Sequence, residues 1–74
     1  MQSLEKLIRI LENYVEVDEI TAEDHFKSDL GLSSFDLVCV MADIKTQFGI
    51  AVTAADFINN KTVGQMAAYL ASAN

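Results

Sequence analysis

Residues 29–48 read DLGLSSFDLVCVMADIKTQF, and the way this stretch folds decides how the rest of the chain is arranged. Asp29-Leu30-Gly31-Leu32 reads as a turn that delivers the chain to a pair of serines. Ser33 has the character of an N-cap, whose hydroxyl accepts from a backbone N–H two or three residues on. Asp36 stands three residues later, where an acidic side chain reaches back as in a capping box. With Ser33 engaged in capping, Ser34 falls at the first helical position with its hydroxyl free. A hydroxyl there is well placed to carry a phosphodiester, because unpaired N–H groups and the positive end of the helix dipole favour an anion.

The helix that follows carries more apolar surface than one core contact needs. Leu37, Val40, Met41, Ile44 and Phe48 recur at helical spacing and form one continuous stripe expected to be buried. Phe35, Val38, Cys39 and Ala42 repeat the pattern on another face. A small domain cannot bury both faces within its own chain. Scattered exposed apolar residues are normal on any surface, but Phe35 lies next to the free serine. The second face is therefore expected to be a partner-docking surface made by Phe35, Val38 and Ala42, with Asp36 at its edge.

These residues resemble the acyl carrier protein family. Its pattern is Asp-Leu-Gly, two residues, a serine, a large apolar residue and Asp, then an amphipathic helix ending in Phe-Gly. Here that reads Asp29-Leu30-Gly31, Leu32-Ser33, Ser34-Phe35-Asp36 and, later, Phe48-Gly49. The resemblance implies that Ser34 carries 4'-phosphopantetheine through a phosphodiester, with acyl groups held as thioesters on its terminal thiol. It also implies a phosphopantetheinyl transferase as partner, together with acyl-loading and acyl-processing enzymes such as a ligase, an acyltransferase or a ketosynthase. Two departures bear on the pathway. Ser33 stands where fatty-acid carriers usually have Asp, and Cys39, Lys45, Thr46 and Gln47 replace glutamates common on the family's central helix. Docking by apolar contact should gain weight over docking by charge. Between fatty-acid synthesis and a dedicated, polyketide-like pathway, these departures weigh toward the dedicated one. The Gly-Gly-His-Ser approach of peptidyl carriers is missing, which weakens an aminoacyl cargo.

Composition narrows the field independently. Seventy-four residues with one cysteine and 51% hydrophobic content make one expected domain, residues 1–74, with a thin core and no intrachain disulfide. Eleven acids against five bases give a net charge of −6. Phosphate contacts need a basic patch, so nucleic acid is not an expected partner. Without proline or a long apolar run no membrane insertion is expected. The N-terminus lacks the charged lead and apolar block of a secretory signal, and a lone thiol suits a reducing cytoplasm. Acidity instead suggests steering toward basic protein surfaces.

Taken in order, Ser3 reads as the cap of a first helix reaching Val15 or Glu16. Leu4, Leu7, Ile8, Leu11, Tyr14 and Val15 share its inner face, Ile10 lies off the stripe without a partner, and Glu5–Arg9 form an i,i+4 pair. Helical period then disappears from Val17 to Leu32, a long connection expected to anchor itself through Ile20, Phe26, Leu30 and Leu32, with at most one helical turn after Thr21. Gly31 should supply a backbone conformation other residues resist, and Gly49 should close the central helix. Thr53 with Asp56 opens a short helix stopped by Asn59-Asn60-Lys61. Thr62 with Gln65 opens the last helix, whose inner face is Val63, Met66, Ala67 and Leu70, with Tyr69 on the flank. The expected fold is all-α: a small four-helix bundle of three main helices and one short one, with a long loop between the first two.

Catalysis finds little support. His25 is the only histidine and sits in the irregular loop, where a solvent or packing role is expected. Cys39 has no basic neighbour to activate it, and no His/Cys spacing suits a metal. The expected function is a monomeric carrier, not an enzyme. The competing function is an unmodified helical interaction module binding through Phe35, Val38 and Ala42, and Ser34 separates the two.

Overall fold

The computed structural model describes residues 2–73. Four helices account for the regular structure among them: α1 (Gln2–Leu11), α2 (Ser34–Phe48), α3 (Ala54–Asn59) and α4 (Val63–Ala73). This is the expected all-α bundle with three main helices and one short one. α1 packs against both α4 and α2, and Phe57 of α3 is buried in the core.

α1 differs from its expected form in three ways. It already includes Gln2 and Ser3, so Ser3 is not its cap, and the capping position falls outside the described residues. It ends at Leu11, short of Val15. Beyond it, Asn13 N–H donates to Ile10 O (3.2 Å) and Tyr14 N–H to Leu11 O (2.9 Å), a tighter i→i+3 turn. The Asn13 amide donates to Arg9 O, the acceptor its own backbone would use in a continuing helix. The third difference is Ile10, which is buried beside Leu7 and Leu11. Two helices flank α1, so it buries a broader stripe than a single partner would require. Glu5 and Arg9 form no ion pair; among the described residues the pair that closes is His25–Asp29.

The other stripes fall where their periods place them. Leu37, Val40 and Ile44 of α2 are buried, with Met41 and Phe48 packed at the core edge. Gly49 takes the left-handed conformation (φ 72°), and its N–H donates to Lys45 O. Lys6 reaches from α1 to donate to Gln47 O (3.2 Å) and lies 5.0 Å from the centre of the Phe48 ring, a cation at the negative end of α2. Val63, Met66, Ala67 and Leu70 of α4 are buried, and Tyr69 lies on the flank.

The long connection between α1 and α2 is held at several points. Ile20, Phe26, Leu30 and Leu32 are all buried. Thr21 and Asp24 close one turn, with Thr21 N–H donating to Asp24 Oδ2 (2.9 Å). The connection also caps α4: Val63 N–H donates to Asp24 O (3.0 Å) and Gly64 N–H to Ala22 O (2.8 Å). Gln65 N–H donates to Thr62 Oγ1, and Gln65 Oε1 accepts from Thr62 N–H, completing the expected box. All four N–H groups that this helix start would leave free, those of Thr62, Val63, Gly64 and Gln65, are thereby paired. Residues 25–26 lie against 61–62, linked by an isolated bridge between His25 and Thr62 and by Phe26 N–H to Lys61 O (3.2 Å).

Candidate functional site

The serine pair separates as its local chemistry requires. Ser33 is extended (φ −80°, ψ 171°), outside the helix. Its Oγ accepts from Asp36 N–H (3.1 Å), while Asp36 Oδ2 accepts from Ser33 N–H (3.0 Å). Both halves of the capping box are present. Ser34 is the first residue of α2 and exposed, and among the described residues its hydroxyl has no hydrogen-bond partner.

The turn before the pair is fixed by its own hydrogen bonds. Asp29 Oδ2 accepts from His25 N–H (2.7 Å) and lies 3.0 Å from His25 Nδ1. The backbone N–H of His25, then its ring, holds the Asp29 carboxyl below the usual carboxylate range. Gly31 adopts the left-handed backbone (φ 69°), and Leu32 N–H donates to Phe26 O (3.1 Å). Phe26 thus ties the approach to Ser34 to the segment before α4. Its ring meets Phe57 edge-on, with centroids 5.0 Å apart.

Beside Ser34 lies an open groove of about 480 Å³ between α2, α3 and the long connection. Its apolar wall is made by Phe26, Leu37, Val38, Met41, Phe57 and Ile58, and Ser34, His25, Lys27 and Lys61 also line it. The volume falls within the ~300–1,000 Å³ typical of small-molecule sites.

The docking residues expected from sequence occupy one exposed face of α2. Phe35 is 76% exposed and Val38 58%, and Ala42 is exposed beyond them. Asp36 is half-buried because it closes the capping box. Cys39 is half-buried and free. Ile58, 67% exposed on α3, was not anticipated. A short helix carries too few residues for its outer face to show as a stripe. His25 is more engaged than expected, since it pairs with Asp29. It makes no hydrogen bond to Ser34, so the groove holds no assembled base–nucleophile pair.

Residues 4–70 match the family described as Phosphopantetheine attachment site. An acyl carrier protein of Thermotoga maritima is 36% identical over 67 residues, spanning 88% of this chain and 83% of that protein. An acyl carrier protein of an Exiguobacterium species is 38% identical over 55 residues, spanning 74% of this chain and 70% of that protein. With a serine of free hydroxyl heading the central helix of a matching bundle, this chain belongs to the acyl carrier protein family, whose domain bears covalently attached 4'-phosphopantetheine.

Proposed function

We propose that Ser34 is the attachment point of phosphopantetheine and that the chain, as one carrier domain, moves acyl groups as thioesters on that arm. The carrying observation is the division of labour between the serines: the Ser33 hydroxyl is held by Asp36 N–H, and the Ser34 hydroxyl is exposed and unpaired. The residues fit the group. A phosphodiester on Ser34 would project from a helix start beside an open groove, where an apolar acyl chain finds Leu37, Val38, Met41 and Phe57. The arm supplies the thiol and its thioester chemistry; the protein supplies attachment, shelter and recognition. Ser34 and His25 share a groove without a hydrogen bond between them, which supports a carrier over a hydrolase.

Phe35, Val38 and Ala42, with Asp36 at their edge, form the surface on which a phosphopantetheinyl transferase and acyl-handling enzymes dock. A large exposed aromatic next to the modified residue suits a central contact. The fatty-acid role typical of the family and a dedicated pathway both use this architecture.

Incubation with coenzyme A and a phosphopantetheinyl transferase tests the reading by intact mass and peptide mapping. One arm should be added to the wild type and to Ser33→Ala, and none to Ser34→Ala. Ser33→Ala should melt lower, by about 1 kcal/mol of lost capping. Modification that persists in Ser34→Ala and vanishes in Ser33→Ala would assign the arm to the other serine.

A further inference from the structure

We propose that Lys27 and Lys61 form a cationic clamp at the mouth of the groove that binds the phosphodiester on Ser34 and lays the arm along the groove. This rests on attachment at Ser34. The chain has eleven acids and five Lys and Arg residues. Yet the groove is lined by two of those five bases and by no aspartate or glutamate. In so acidic a chain, that local reversal of sign marks where an anion is tolerated.

Backbone geometry holds the two lysines near the serine. Phe26 N–H donates to Lys61 O, and Phe26 O accepts from Leu32 N–H, so residues 26, 32 and 61 form one hydrogen-bonded junction. Lys27 follows Phe26, and Ser34 stands two residues after Leu32. Neither ammonium has a hydrogen-bond or ion-pair partner among the described residues. The third basic group on the groove, His25, is engaged with Asp29, which leaves the anion to the lysines. A lysine meets phosphate as a flexible point charge, suited to a ligand that arrives tethered. Tethering raises its effective concentration at the site without any further contact.

The clamp also offsets a conflict. Asp36, needed to cap α2, places a carboxylate at the same helix end as the incoming phosphodiester. Two anions there would repel, and the lysines that line the groove would relieve that repulsion. An arm held there would meet Val38 and Ile58, the exposed apolar residues that line the groove.

Phosphorus NMR of the holo protein, with no acyl group on the thiol, tests this. The phosphodiester is then the anion the arm presents, so a carboxylated cargo cannot produce the result. In the folded wild type its resonance should be displaced from the urea-unfolded position, and the displacement should shrink as salt rises. Lys27→Gln/Lys61→Gln should move it most of the way back, each single variant part of the way, and Lys27→Arg/Lys61→Arg should retain it. Lys45→Gln, which removes the same charge at the far end of α2, should leave it in place. Both groove lysines are exposed, so the variants should melt with the wild type. A loaded wild type whose resonance matches both the double glutamine variant and the unfolded chain would overturn the clamp alone. A wild type that gains no mass on loading would overturn the Ser34 reading and the clamp with it.

Discussion

Gly64→Ala sets helix propensity against tertiary packing, and the structure says which wins. Gly64 sits in the first turn of α4, where alanine is favoured over glycine by up to ~1 kcal/mol. A Cβ at this position, however, would lie 2.9 Å from Ala22 Cβ and 3.0 Å from Ala22 O. Carbon contacts relax at about 3.5–4.0 Å, so the connection must retreat by more than half an ångström. Such overpacking costs roughly 1–3 kcal/mol. Ala22 O is also the acceptor for Gly64 N–H at 2.8 Å, and its retreat weakens a bond worth about 0.5–1.5 kcal/mol. The propensity gain offsets about one of these contributions, leaving a net loss of roughly 1–3 kcal/mol. For a domain of this size the melting temperature should fall by roughly 5–20 °C. Thermal melting followed by far-UV circular dichroism measures it. Ala22→Gly removes the nearer contact, so combining it with Gly64→Ala should recover part of the loss, a coupling the double-mutant cycle reads directly. A Gly64→Ala protein melting at or above the wild type would refute the reasoning: the connection would then be yielding freely and not held against α4.

Ile44→Ala, which empties a fully buried position on α2, should lower stability by about 2–5 kcal/mol in denaturant titration, much of what a domain this small possesses. Phe35→Ala should weaken binding to a modifying or loading enzyme by about 1–3 kcal/mol without lowering the melting temperature, as calorimetry would show. Asp36→Asn should chiefly slow association, with an effect that fades in salt, and should also loosen the α2 start; normal binding by Phe35→Ala beside salt-independent loss in Asp36→Asn would mean docking by charge. Tyr14 donates its hydroxyl to Asp43, and that hydrogen bond, ahead of partial burial, pushes its pKa up to about 12. The folded tyrosine keeps its proton after the unfolded one has begun to lose it, so the stabilisation is complete at neutral pH, declines above about pH 10 and is gone above about pH 12. Tyr14→Phe should flatten that alkaline decline in melting temperature, whereas Tyr69, raised by the Asp56 charge, should still contribute to it.

The parts legible in the sequence are those set by neighbours three or four residues apart. Ser33 and Asp36 meet across one helical turn, as do Thr62 and Gln65, and the polar groups that pair are written beside one another. The stripes Leu37/Val40/Ile44 and Val63/Met66/Ala67/Leu70 follow from the helical period alone. Gly31 and Gly49 announce left-handed backbone because other residues resist it. The free serine, the exposed Phe35/Val38/Ala42 face and the anchors of the long connection all follow from such local rules.

What only the tertiary structure decided involves elements far apart in the chain. Ile10 lies off the stripe read from α1 alone, and it is buried because both α4 and α2 press on that helix. Gly64 looks like a weak helical residue until Ala22 arrives against it. The groove beside Ser34 brings together His25, Lys27, Val38, Ile58 and Lys61 from three separate segments. Local propensity acts through bonds and a single turn of backbone, whereas a groove's lining is chosen by how helices settle against one another to exclude water. The free hydroxyl of Ser34 was therefore readable in one dimension, and the groove beside it was not.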